Sequence, residues 1–317
     1  MPEYGQTAKI NNEESFDHLN CIGDYQIIKL LGAGGMGEVF LARQKALERN
    51  VALKVLLPGL TFNERSMKRF FREVRTLAKI EHPGIVRAYE AGAVDNVCYF
   101  SMEFVAGIDL HDYIYTKNGL FTEEKALAVI SQLSQTLDYA WRKHRLIHRD
   151  IKPSNILLAA DETASLLDLG ISKLVAQQEE GDERITHEGM MVGSPQYVSP
   201  EQARDEKIDC RSDMYSLGIT LFEMLCGRPP FDGENSIAII CHHLNSPVPD
   251  PRKYNPAITV DTYSLIKKMM AKKASKRYND WHEVELAVQK ILAKINPAVK
   301  KRVLLFCKLE KTEGWLG

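Results

Sequence analysis

The chain lacks a cysteine pair at metal-binding spacing, a long apolar run, an internal repeat and any appreciable net charge, and each shortage removes a class of function. Its six cysteines, at 21, 98, 210, 226, 241 and 307, are scattered without a CxxC. Reduced thiols of a cytoplasmic protein are therefore expected rather than a zinc site or a disulfide framework. The N-terminal stretch has no apolar core and is not a secretory signal. No apolar run nears the roughly 18 residues that span a bilayer, and Val303–Cys307 is far too short. A formal charge of -1 gives no general electrostatic case for nucleic acid. His242–His243 is expected to be a solvated helix face, not a metal site. What remains is a globular composition, 44% hydrophobic and 26% charged over 317 residues. That is enough for one large domain of two lobes, or two modest domains.

Residues 1–24 are polar and aperiodic, and are expected to be a mobile extension. Strands are predicted over Tyr25–Leu31, through Val39-Phe40-Leu41, and over Val51–Val55, with the glycines of 32–37 between the first two. Thr61 and Glu64 resemble a capping box. Met67, Phe70, Phe71, Val74, Leu77 and Ala78 then share a helical face. Strands follow at 85–91 and 97–103. After Gly107 the chain turns helical. Thr122 caps a helix whose Leu127, Ile130, Leu133, Leu137 and Trp141 form a stripe. A more buried helix runs from Ser212 to Cys226, ended by Gly227 and Pro229-Pro230. Residues 246–256 are a proline-rich connector, and further helices fit 261–272 and 280–295. The lobe boundary is expected near Glu103 to Gly107, giving a small antiparallel β lobe with one main helix and a larger helical lobe.

The chemistry concentrates in His148-Arg149-Asp150-Ile151-Lys152-Pro153-Ser154-Asn155. A carboxylate, an ammonium and an amide on one short loop are what phosphoryl transfer requires: a base, a cation for the moving phosphate, and an oxygen ligand for magnesium. Upstream, Gly32-Ala33-Gly34-Gly35-Met36-Gly37-Glu38-Val39 matches GxGxxGxV. It lies between two strands of a hairpin, whereas a dinucleotide-binding glycine turn opens a helix. Taken alone, those glycines fit a plain flexible hairpin equally well. Lys54 sits on a strand and Glu73 mid-helix, so an ion pair between them can aim the ammonium at phosphates. Taken singly, each fits an ordinary surface charge, but the apolar neighbours of both point the other way. Asp168-Leu169-Gly170 follows the loop, and its aspartate suits a hard cation.

These residues, with Ser199-Pro200-Glu201, Asp213 and Arg277, together resemble the eukaryotic-type protein kinase family over roughly 25 to 293. That family is the reference case for this constellation. Lys152-Pro153-Ser154-Asn155 is similar to the loop of serine/threonine kinases. Gly34–Gly37 and Ser199-Pro200-Glu201-Gln202-Ala203 look like the bacterial branch. The resemblance implies an α+β, bilobal fold with lobes at 25–104 and 105–293 and a tail at 294–317. It implies ATP and Mg2+ as cofactors. Asp150 would be the base, Lys152 the neutralising cation, and Lys54 with Glu73 the phosphate-aiming pair. Asn155 and Asp168 would hold the metal. The nucleotide would lie against Leu31, Gly32, Ala33, Gly34, Gly35, Met36, Gly37, Glu38, Val39, Ala52, Lys54 and Leu157. The Glu103 carbonyl and Val105 amide would meet adenine, with Met102 behind it, and Asp109 would meet the ribose or a basic substrate side chain. Asp213 and a Glu201–Arg277 pair would brace the loop and the substrate platform. Leu169 stands where phenylalanine is usual, and Ser194 where threonine is.

The segment from Asp168 to Glu201 includes a polar run over 177–183 and is long for a connection within a domain. Thr186 is the preferred phosphate acceptor in it, with Arg149, Lys173 and Arg72 or Arg75 to receive the charge. The alternative is a solvated acidic loop. The expected activity is serine/threonine phosphorylation of protein substrates, with autophosphorylation in trans through self-association. A pseudokinase scaffold and a small-molecule phosphotransferase are the alternatives. Neither nucleic acid nor a membrane span is expected within this chain, although bacterial relatives often continue into a span and a sensor.

Overall fold

The structure, a computed structural model, describes residues 20–34, 37–56, 71, 74, 75, 77–94, 97–117, 119–167 and 194–296. The chain divides into two compact units, residues 1–63 with 88–104 and residues 64–87 with 105–317. The capping box at Thr61 and Glu64, the helical face at Met67 and Phe70, and the tail beyond Asn296 lie outside the described residues.

The first unit is an antiparallel sheet of β1 (Cys21–Ile22), β2 (Tyr25–Gly34), β3 (Gly37–Gln44), β4 (Arg49–Leu56), β5 (Ala88–Val94) and β6 (Val97–Glu103), in the order β1-β2-β3-β4-β6-β5. Side chains alternate across a strand. One face carries Phe40, Ala42, Val51, Leu53 and Val55 into a core with Tyr25 and Tyr99. The other face therefore carries Val39, Leu41, Ala52 and Lys54. Register pairs Val39 with Lys54, Leu41 with Ala52, Lys54 with Phe100 and Ala52 with Met102. Although β2 and β5 stand far apart in the strand order, Tyr25 Oη donates to Glu90 Oε1 at 2.5 Å. The sheet is curled enough for its two sides to be tied together. Gly37 has φ 151°, and a Cβ there would lie 1.9 Å from the Val55 carbonyl oxygen. Only glycine lets β3 begin so close to β4.

Two expectations change here. Cys21–Ile22, placed in the N-terminal extension by composition, pairs with β2 across a turn at Gly23, whose φ is 55°. Ile22 is buried, and that burial is what holds so short a strand. The strand predicted at 85–91 begins at Ala88 instead. Ile85 forms a single parallel bridge with Leu166, flanked by Val86 N–H to Leu166 O at 3.0 Å and Leu166 N–H to Gly84 O at 2.9 Å. Those bonds are why residues 84–87 group with the second unit.

The second unit has a small sheet of β7 (Gly107–Asp109), β8 (Ile156–Ala159) and β9 (Ala164–Leu166). Its helices are α1 (Leu110–Asp112), α2 (Glu123–His144), α3 (Pro200–Ala203), α4 (Cys210–Cys226), α5 (Ser236–Asn245), α6 (Val260–Met269) and α7 (Trp281–Ile295). Thr122 caps α2 by accepting from Lys125 N–H, and Leu127, Ile130, Leu133 and Leu137 are buried as their spacing predicts. In α4 every residue from Ser212 to Leu225 is buried, so it is the central helix of the unit. Gly227, at φ 69°, ends it in the left-handed conformation that favours glycine.

The solvated face expected at His242–His243 holds for only one of the pair. His242 is exposed, while His243 is fully buried between Tyr215 and Phe231. Tyr215 Oη lies 3.0 Å from His243 Nδ1, and Lys272 Nζ donates to that hydroxyl at 3.3 Å. Burial, helped by the Lys272 charge, lowers the His243 imidazole to about 3. The unfolded chain then binds a proton near pH 6.5 that the folded chain refuses. Stability is therefore lost on acidification between about pH 6.5 and 3. Urea melts at pH 7 and pH 5 should show this decline, and His243→Phe should make it shallower. An equal decline in the variant would assign it to other groups.

Candidate active site

The site residues fall into two sets, one in each unit. In the first unit, Gly32 and Gly34 end β2, Gly37 and Glu38 open β3, and Val39, Ala52 and Lys54 share the sheet face opposite the core. Leu31 and Ala33 are exposed on β2. Lys54 is buried, with its ammonium 5.8 Å from the centre of the Phe100 ring. Met102 is buried and Glu103 ends β6 exposed. Gly35, Met36 and Glu73 lie outside the described residues.

In the second unit, residues 148–155 are held in place by bonds of their own backbone. Asp213, in the first turn of α4, accepts the His148 N–H at 2.6 Å and the Arg149 N–H at 2.7 Å. His148 is fully buried. Its Nδ1 accepts the Asp150 N–H at 3.3 Å, so Nε2 carries the proton that reaches the Leu167 carbonyl at 2.8 Å. Leu167 N–H in turn donates to the Asn155 carbonyl at 2.9 Å. Within the loop, Ile151 and Pro153 are buried. A two-sided lattice of backbone bonds thus fixes residues 148 to 155.

On that lattice three side chains converge. Lys152 Nζ lies 2.9 Å from Asp150 Oδ2 and donates to Ser194 Oγ at 3.2 Å. Asn155 Nδ2 donates to the Asp150 carbonyl at 2.8 Å and to Asp150 Oδ2 at 2.9 Å. Both acceptors demand the NH2 end of the amide, so Oδ1 is the atom that Asn155 can offer a hard cation. That oxygen is one ligand of the kind magnesium takes. Asp168, Leu169 and Gly170 lie outside the described residues, as do Arg72, Lys173, Thr186 and the run 177–183. Leu157 is half-buried on β8, opposite Asp109 across the β7–β8 pair. Asp109 caps α1 by accepting the Asp112 N–H at 2.9 Å, and burial raises its carboxyl.

The segment from Tyr197 to Gln202 is braced from the same central helix. Arg277 grips Glu201 through two bonds, at 2.6 and 2.8 Å, and Arg277 Nη1 also reaches the Arg211 carbonyl at 2.7 Å. Ser212 Oγ donates to Glu201 Oε1 at 2.7 Å. Burial alone would raise the Glu201 carboxyl, but the Arg277 guanidinium and the Ser212 hydroxyl outweigh it and hold it below its usual value. Ser216 Oγ donates to the Tyr197 carbonyl at 2.7 Å. Sequence reasoning missed Glu223, a buried carboxylate that receives Tyr115 Oη and Tyr197 Oη, each at 2.7 Å. Burial raises its carboxyl despite those donors. The signal available was an acid inside the apolar run Leu221-Phe222-Glu223-Met224-Leu225.

A family model described as protein kinase domain matches residues 25–291. The chain belongs to the protein kinase family. Serine/threonine-protein kinase PrkC of Bacillus subtilis is 36% identical to it over 267 residues, 84% of this chain and 40% of PrkC. PknB of Mycobacterium tuberculosis is 36% identical over 259 residues, 80% of this chain and 40% of PknB. The chain thus spans about 40% of the length of these two relatives. Among solved structures, the PknI kinase domain of Mycobacterium tuberculosis matches at a TM-score of 0.67 and 25% identity, covering 85% of this chain and 97% of that one. The kinase domain has the antiparallel sheet and the helical unit that its sequence predicts. Among the described residues no helix is long and apolar enough to cross a membrane.

Proposed function

We propose that this domain transfers the γ-phosphoryl group of ATP to serine and threonine hydroxyls of protein substrates. The observation that carries the reading is the Asp150–Lys152–Asn155 cluster, three side chains within 2.9 Å contacts on a loop fixed by Asp213. In this reading the acceptor hydroxyl oxygen attacks the γ-phosphorus, the bond to the bridging oxygen breaks, ADP leaves, and Asp150 takes the hydroxyl proton. Lys152 balances the charge that spreads over the transferring oxygens. Asn155 and Asp168 would hold magnesium, which supplies charge neutralisation on the phosphates when bound. Lys54, supported by Glu73, would orient the nucleotide on the face shared with Val39 and Ala52. Within the same unit, Glu103 would meet adenine and the strand ends from Leu31 to Val39 would cover the phosphates.

The proposed kinase domain runs from 25 to 293, divided in sequence between residues 104 and 105, with flanking segments at 1–24 and 294–317. Self-association for autophosphorylation in trans and a cytoplasmic location belong to the same proposal. Among the described residues Cys21, Cys210, Cys226 and Cys241 form no disulfide, which suits a reducing compartment. The test is incubation with magnesium and γ-labelled ATP together with a generic protein substrate, followed by phosphosite mapping. Label on serine and threonine, abolished by chelation, is expected. Absence of transfer would favour a scaffold, and label confined to small molecules would favour the other phosphotransferase class.

A further inference from the structure

Arg149, the residue directly before Asp150, has φ 68°. A non-glycine residue in that left-handed region stays there only when its surroundings hold it. Two side chains do so from opposite sides. Its N–H donates to Asp213 Oδ1 at 2.7 Å, and its carbonyl accepts Gln202 Nε2 at 3.1 Å. The other end of Gln202 is also committed. Its Oε1 accepts the Ser199 N–H at 3.0 Å while Ser199 Oγ accepts the Gln202 N–H at 3.3 Å, the capping box that starts α3, and the Ser199 hydroxyl also donates to Oε1 at 3.0 Å. One amide therefore spans from the cap of α3 to the peptide that carries Asp150.

We propose that Gln202 is a positioning residue for Asp150, acting through the Arg149 carbonyl. The choice of amide is the key. A capping box accepts glutamate as readily as glutamine, because only the acceptor oxygen is used. A carboxylate, however, cannot donate to a carbonyl. Capping explains Oε1, and the Arg149 carbonyl explains Nε2. Since Glu201 is the neighbour gripped by Arg277, the same short segment is anchored to the core on one side and to the catalytic loop on the other. A shift of α3 would then reach Asp150 through a single peptide.

The kinetic arm of the test rests on the phosphoryl-transfer reading, and a second arm does not. Gln202→Glu keeps the cap and removes the donor, whereas Gln202→Leu removes both. For Gln202→Glu the expected result is a Tm close to wild type and KM for ATP within about twofold. kcat should fall about tenfold, the factor carried by one hydrogen bond of ordinary net strength. Hydrogen exchange in the nucleotide-free protein should quicken by a similar factor over residues 147–156. The proposal is overturned if Gln202→Glu leaves kcat and loop exchange unchanged, or if it lowers Tm as much as Gln202→Leu, since either result makes Gln202 a helix cap alone. If the wild-type domain transfers no phosphate, the kinase reading fails by itself and the exchange measurement still decides the role of Gln202.

Discussion

Asp150→Asn is expected to lower kcat by about 10²–10⁴-fold, the range that a positioned general base contributes. The substitution keeps the size of the side chain but replaces a group that can take a proton with one that cannot. The local pattern of donors and acceptors allows only one orientation of the new amide, with its oxygen in the place of Asp150 Oδ2. Lys152 Nζ and Asn155 Nδ2 both point at Asp150 Oδ2, and an amide nitrogen placed there would face two donors. The backbone anchors do not depend on the carboxylate, because Asp213 holds residues 148 and 149 and the Asp150 carbonyl holds Asn155. Tm and ATP affinity should therefore change little while turnover collapses. Steady-state phosphorylation of a protein substrate, with ATP binding measured by calorimetry, checks both halves. A variant retaining more than about a tenth of wild-type turnover would remove Asp150 from the role of base, given the usual size of that contribution.

Arg277→Leu is expected to cost roughly 3–5 kcal/mol of stability, the usual consequence of leaving one partner of a buried ion pair alone. The guanidinium side chain is fully buried and Glu201 nearly so, which leaves little water to take over. For a domain of this size each kcal/mol moves Tm by about 2–4 °C, so calorimetry should find a large drop. The pH dependence has a definite sign. The folded Glu201 carboxyl is held below its unfolded value, so its contribution is present above the usual carboxylate range. That contribution is lost as pH falls through the depressed folded value. In the variant, Glu201 protonates at higher pH, and the gap to wild type should narrow on acidification. Replacing both partners by apolar residues should cost less than Arg277→Leu alone. A Tm within a degree or two of wild type for the single variant would mean that the pair does not brace the domain.

What was readable in the sequence was what lies close along it. Asp150, Lys152 and Asn155 are near neighbours, so their spacing on one loop nearly dictates their meeting, and the structure brings them together. The stripe on α2 repeats often enough for its period to be plain. Contacts between distant segments left no such trace. Tyr115 and Glu223 are 108 residues apart, and neither has a neighbourhood that names the other. Gln202 looked like a family signature without a job, because its partner is a backbone carbonyl 53 residues away. His243 was misjudged because a histidine pair reads as polar, while its burial is decided by Tyr215 and Phe231 packing on it. The strand at Ala88–Val94 is rich in alanine and glycine, so residue preference could not set its start, and pairing with β6 did.

The first two turns of α4 do more than fill the middle of the second unit. Within six residues the Arg211 carbonyl, the Ser212 hydroxyl, the Asp213 carboxylate and the Ser216 hydroxyl each fasten a different piece of the chain. Fraying this stretch would release residues 148–149, Glu201 and Tyr197 in one event. Heat inactivation should then follow the melting of the helical unit as a whole, with catalytic competence and global order surrendered together.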